Sequence, residues 1–135
     1  MHELPQPLWR TLHPFYKANA FEGFPSKHDR VFVKKGNNET ILAVALIQSK
    51  AGVDLLSGVL VDESQRQQGI GRELVKEIVM MWHKECDRPL YCLAEPHLTP
   101  FYKACGFHLS KGTAQLMRLK CRYEGASRKL RVFEV

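Results

Sequence analysis

Val59-Leu60-Val61-Asp62-Glu63-Ser64-Gln65-Arg66-Gln67-Gln68-Gly69-Ile70-Gly71 is the stretch on which the reading of this chain turns. A β-branched apolar run stops at Val61, a polar turn follows, and two glycines lead into a new period. Ile70, Leu74, Val75, Ile78, Val79, Trp82 and Cys86 recur at three and four residues. Arg72, Glu73, Lys76, Glu77, Lys84 and Glu85 fill the opposite face, so the spacing predicts an amphipathic helix. Its first turn then falls on the glycines. A helix start carries unpaired N–H groups and the positive end of the dipole. Glycine lets an anion approach that backbone with no Cβ in the way. Arg66 adds a cationic fork suited to phosphate oxygens. The stretch lacks the lysine of a Walker loop, and its glycines do not follow the G-x-G-x-x-G spacing of dinucleotide folds.

Upstream, Pro7 to Ala20 places Leu8, Trp9, Leu12, Phe15 and Tyr16 at helical spacing, with a break or a restarted helix expected at Pro14. Residues Phe21 to Asp29 read as a loop through Gly23, Pro25 and Ser26. Three strands are predicted next, over residues 30–34, 40–48 and 53–61, with Gly58 inside the third as a bulge or close-approach signal. Downstream, Leu90–Ala94 is a short strand. Thr99-Pro100 starts a short helix that Gly106 closes. Residues 107–109 and 115–123 are predicted as strands, and Val132, Phe133 and Val135 suit one more. The whole is an α/β (α+β) domain over residues 1–135, a mixed and mostly antiparallel sheet flanked by helices.

Arg66-x-x-Gly69-x-Gly71 after Val59-Leu60-Val61 resembles the signature of the GNAT acetyltransferase superfamily. Phe101-Tyr102-Lys103-Ala104-Cys105-Gly106-Phe107 resembles that family's F-Y-x-x-x-G-F segment. The resemblance covers roughly residues 30–123 and implies an acetyl-CoA-dependent N-acetyltransferase. It implies that the amides of Gln67, Gln68, Gly69, Ile70 and Gly71, with Arg66, hold the pyrophosphate of the cosubstrate. It implies that the backbone of Val59, Leu60 and Val61 meets the pantetheine arm and the acetyl carbonyl. Tyr102 matches the tyrosine that can protonate the departing thiolate. Many relatives carry Asn where this chain has Glu95.

An amine acceptor must lose a proton before attack, and the usual base is a carboxylate. Asp62, Glu63 and Glu95 are candidates, with His97 beside them, and the sequence does not choose. The loop 21–29 is the expected acceptor-facing element. The acceptor is an amine of a small molecule, a peptide or a protein. A rival reading keeps the cofactor site but makes the protein a CoA-sensing regulator.

Composition bounds these readings. The 135 residues are 44% hydrophobic and 25% charged, which fits one globular domain and argues against disorder. Twenty basic against fourteen acidic residues leave +6 and a pI near 9.3, so anionic partners are favoured. No RNA-binding signature appears, and nucleic acid is disfavoured. No leader pattern and no membrane-length apolar run is seen, which predicts a cytoplasmic domain with no membrane partner. Cys86, Cys92, Cys105 and Cys121 lack metal-ligand spacing, as do the six histidines, so no metal is expected. Buried reduced thiols are expected, with Cys105 the one to watch for reactivity. The apolar C-terminal strand is expected to offer an edge for a homodimer.

Overall fold

A computed structural model describes residues 1–135. The chain forms β1 (His2–Leu4), a 3-10 turn (Gln6–Thr11) and α1 (Leu12–Ala18). A loop then leads to the antiparallel run β2 (Arg30–Lys35), β3 (Ile41–Lys50) and β4 (Val53–Val61). After these come α2 (Ile70–Glu85), β5 (Leu90–Ala94), α3 (Thr99–Ala104), β6 (His108–Leu109), α4 (Ala114–Glu124) and β7 (Arg131–Glu134). The seven strands make one sheet in the order β1-β2-β3-β4-β5-β7-β6. Every neighbouring pair is antiparallel except β4 and β5. That exception follows from the helix between them, since parallel neighbours need a crossover.

Strand β3 is apolar on both faces because both are covered. Ala43, Ala45 and Ile47 face the buried stripe of α2, from Leu74 to Trp82. Val44 and Leu46 face the opposite layer, where Trp9, Leu12, Phe15 and Tyr16 pack. The two alanines let α2 approach closely, and Leu74, Val75 and Ile78 are wholly enclosed. On the second face, α4 sets Leu116 and Leu119 on Leu55, Tyr91 and Val132. That face is shared by α1 over one half of the sheet and α4 over the other.

Several expectations need correction. Residues 115–123 are not a strand but the body of α4. Leu119, Cys121 and Tyr123 alternate with basic residues, which suggested period two. Leu116 and Leu119 are the pair that is actually buried, and their spacing is helical. Thr113 Oγ1 accepts the Leu116 N–H at 3.1 Å and fixes the helix start. Cys121 is therefore exposed rather than buried, and Cys86 is half-buried. The helix restarts at Leu12, just ahead of Pro14, which becomes the third residue of α1, where its missing N–H would have had no acceptor in the helix. The 3-10 turn ahead of α1 was not foreseen, nor was β1, which is too short to show a period. At α3, Thr99 lies inside the helix, and its hydroxyl donates to Pro96 O at 2.6 Å instead of capping. The C-terminal strand forms as expected, but between β5 and β6. It offers no free edge for a dimer.

Candidate active site

Strands β4 and β5 pair only at Asp54, Leu55 and Leu56 with Leu90, Tyr91 and Cys92. Beyond that point they part. The cause is local. Leu46 pairs with Ser57 and Val44 with Leu60, so β4 carries one extra residue against β3. Gly58 takes φ +60°, a conformation that favours glycine, and makes this bulge. Added curvature turns the rest of β4 away from β5. Asp62 N–H donates to Leu42 O at 2.8 Å, which sets the phase of the ladder. By alternation Leu60 turns its backbone toward β3, and Val59 and Val61 turn theirs into the gap.

A cavity of about 360 Å³ fills this gap. Val59, Leu60, Val61 and Arg66 form one wall, and Leu98, Phe101 and Tyr102 the other. Arg66 Nε donates to Val61 O at 3.1 Å, leaving its two terminal nitrogens free of protein partners. The turn that follows supplies the donors expected from the sequence. Gln67 and Gly69 have φ of +65° and +77°. Helical bonding begins with Glu73 N–H to Gly69 O at 2.9 Å, so the amides from Gln67 to Arg72 donate no backbone hydrogen bond. The two glycines differ in what surrounds them. A Cβ on Gly69 would meet nothing within 4 Å, whereas one on Gly71 would lie 2.9 Å from Val61 Cγ2. Gly69 keeps the turn open, and Gly71 lets helix and strand touch.

Tyr102 stands between this cavity and a second one of about 330 Å³. It is buried against the rings of Phe101, Phe107 and Phe133, with centroids 5.0–5.7 Å apart. Burial raises its phenol pKa well above the ordinary value, and the neighbouring Cys92 raises it further. It is a neutral O–H donor across the physiological range. Cys92 is itself pushed up to about 12 by burial. Burial also raises Cys105, so the thiol singled out for reactivity is an inert core group.

The second cavity runs through the parted sheet toward α4. Leu56, Ser57, Gly58 and Cys92 lie along it, and Gln48, Tyr123, Arg128 and Leu130 complete its lining. The stretch from Tyr123 to Leu130 was missed as a site element, because reading 115–123 as a strand hid the turn that brings Arg128 back over β4. The signal present was Gly125 with a basic cluster after it. The loop 21–29 contributes less than expected. Phe24 stacks on His13 at 4.4 Å and Phe21 on Tyr16 at 4.7 Å, so its rings face α1. Only Asp29 reaches the cavity rim, accepting from Gln48 Nε2 at 3.2 Å.

The carboxylates fall at the strand ends and line neither cavity. Glu63 is exposed, and its amide donates to Asn19 Oδ1 at 2.8 Å. Asp62 accepts from Ser64 and from Asn19 Nδ2, which hold its pKa below the usual range and weaken it as a base. Glu95 follows β5, 3.5 Å from Arg128 Nε and 3.6 Å from His97 Nδ1.

Residues 4–118 match the family model described as "Acetyltransferase (GNAT) domain". The chain belongs to this family of N-acetyltransferases, whose acetyl donor is acetyl-CoA. Among solved structures it is similar to the ribosomal-protein-S18-alanine N-acetyltransferase from Escherichia coli. That likeness has TM-score 0.72 and 15% identity, over 99% of this chain and 90% of that one. A spermidine N-acetyltransferase SpeG chimera from Vibrio cholerae and hSSAT gives TM-score 0.67 at 10% identity, over 99% and 92%. A Bacillus anthracis protein solved in complex with acetyl coenzyme A gives TM-score 0.58 at 14% identity, over 83% and 64%. No curated protein matches the chain. At these identities the likeness is one of fold. No helix is long and apolar enough to cross a membrane.

Proposed function

We propose that the protein transfers the acetyl group of acetyl-CoA to a primary amine by direct attack, within the gap between β4 and β5. The observation that carries this reading is the continuity of the site. A helix start with free amides, an open strand edge and a buried phenol adjoin one cavity, and a second cavity reaches the same phenol from the other side.

The turn residues Gln67–Gly71 and Arg66 would hold the pyrophosphate, and the edge of Val59–Val61 would align the pantetheine arm as an added strand. Loss of a backbone donor to the developing oxyanion typically costs about 3 kcal/mol of barrier. The amine nitrogen bonds to the carbonyl carbon, and the C–S bond breaks. The ammonium loses one proton before attack, and the second N–H proton, released as the C–N bond forms, passes by way of Tyr102 O–H to the departing sulfur, so the phenol ends neutral. We assign Glu95 as the base, acting through water. It lies beside Arg128, which lines the second cavity, taken here as the acceptor's, and its contacts are long, 3.5 Å to Arg128 and 3.6 Å to His97, whereas Asp62 is held by hydrogen bonds from Ser64 and Asn19. The products are an N-acetylated amine and CoA.

Calorimetric titration of acetyl-CoA into wild type and Gly69→Glu tests the donor site. The substitution adds a side chain and a negative charge where nothing now stands. Binding in wild type and its loss in the variant is the expected result. A folded wild type that fails to bind would reduce the likeness to fold alone. Tyr102→Phe should then lower kcat about 100-fold with little change in acetyl-CoA affinity. Unchanged turnover would remove the phenol from the mechanism.

A further inference from the structure

We infer that the acceptor is a primary amine carrying a carboxylate within a few ångströms of the nitrogen, and that Arg128 reads this carboxylate. The inference rests on the acetyl-transfer reading above and assigns the substrate class of its second cavity.

Among the residues lining that cavity, Arg128 is the single charged side chain. The guanidinium is half-exposed, and its one ionic contact is Nε to Glu95 Oε1 at 3.5 Å. Both terminal nitrogens are free of protein partners, so the fork that suits a carboxylate is available. A second cation supports it. Lys50 Nζ donates to the Tyr123 hydroxyl at 3.2 Å, and Tyr123 lines the same cavity. Of the carboxylates nearest the rim, Asp29 accepts from Gln48 and the Ser26 amide, and Glu95 meets Arg128 only at Nε.

The surface just outside continues the pattern. Arg128 and Leu130 also border a neighbouring concavity that contains Lys120, Lys129 and Arg131. Its one carboxylate, Glu124, is taken by Lys120 at 3.1 Å and by the Leu130 amide at 2.8 Å. An acceptor therefore approaches over positive charge and enters beside the two unpartnered terminal nitrogens of Arg128. A polyamine would meet like charge on both, and a like-charge approach selects against it. The cavity volume of about 330 Å³ suits a small molecule or the end of a peptide. A free amino acid presents an amine next to a carboxylate, and a peptide end does so only where an acidic side chain lies close to its amine.

The test compares amines that differ only in this group: free amino acids against their carboxamides, with spermidine as a cationic acceptor. Acidic tripeptides such as Ala-Glu-Glu form a separate arm that distinguishes a peptide end from a free amino acid. With acetyl-CoA saturating, kcat/KM should be at least about tenfold higher for the acid than for its amide, since a charged hydrogen bond is involved. Arg128→Gln should bring the pair within about twofold by raising the KM of the acid, with the KM of acetyl-CoA unchanged. Arg128→Glu should shift preference toward spermidine. Arg118→Gln, a charge loss on exposed α4 outside the cavity, should leave the ratio alone. Equal or better turnover of amides or spermidine by wild type would overturn the inference. So would an acid preference that survives in Arg128→Gln, or acetyl-CoA binding with no transfer to any acid. Failure of acetyl-CoA to bind at all would instead sink the underlying reading, so the two failures are separable.

Discussion

Two tyrosines show how the same residue type takes different roles from its surroundings. Tyr102 is buried beside the gap in the sheet, where two cavities meet, and burial keeps its phenol protonated. Tyr16 is buried under the loop 21–29, and its hydroxyl has no hydrogen-bond partner. Desolvation pushes the Tyr16 pKa up to about 12, and the charge of Asp29 adds to the shift. A buried hydroxyl without a partner costs about 1–3 kcal/mol. Tyr16→Phe should therefore raise the melting temperature, by a few degrees for a domain of this size. The linkage has a definite sign. A phenol that titrates near 10 when unfolded and near 12 when folded adds no pH-dependent penalty below pH 10, where it is neutral in both states, so the fold keeps its full stability there. That stability falls between pH 10 and 12, by roughly 2 kcal/mol. Thermal unfolding followed across this window should show a shallower alkaline decline in Tyr16→Phe. The sequence displayed Tyr16 and Tyr102 in the same Pro-Phe-Tyr-Lys-Ala setting, so their difference was not legible there.

At the scale of elements, the turn into α2 was legible almost completely, because its signals are local. Glycine spacing, the basic residue before it and the helical period after it all lie within about twenty residues. Its two glycines separate by experiment. Gly71→Ala drives a methyl to 2.9 Å from Val61 Cγ2 and should lower stability by about 1–3 kcal/mol in denaturant unfolding. Gly69→Ala meets only the strain of a left-handed residue, about 1–2 kcal/mol, and places its methyl at the donor site. Its larger effect should be on the KM of acetyl-CoA. If Gly71→Ala harmed only KM and Gly69→Ala only stability, the assignment of the two roles would be reversed. The α4 segment is the contrasting case. Its alternating apolar residues fit a strand locally, and the competing helix is selected by the Thr113 cap and by burial of Leu116 and Leu119 on a distant strand face.

Across the whole molecule, the last residues carry weight that their position in the chain does not suggest. Strand β7 lies between β5 and β6, and Phe133 is fully enclosed in the largest core cluster. Val132 on the same strand closes the cluster under α4. Deleting residues 129–135 exposes one side of β5 and empties the site of Phe133, whose truncation alone is worth about 3–5 kcal/mol. The shortened chain should lose its cooperative thermal transition by circular dichroism. A retained sharp transition would mean that β1 to β5 with α2 suffice as a folding unit. The same strand follows directly on the segment of Arg128 that lines the second cavity, so the cavity and the stability of the fold share one support.

By itself the sequence determined the class of fold, the glycine turn into α2, an irregularity of β4 at Gly58 and the short helix that carries Tyr102. Each depends on neighbours along the chain, on period, and on glycine's access to positive φ. Tertiary structure alone decided which face α4 covers, that β7 is an interior strand, that Cys105 is buried, and that Arg128 rather than loop 21–29 lines the second cavity. Those outcomes follow from contacts between segments tens of residues apart. Burial and charge pairing at such distances leave no local pattern to read.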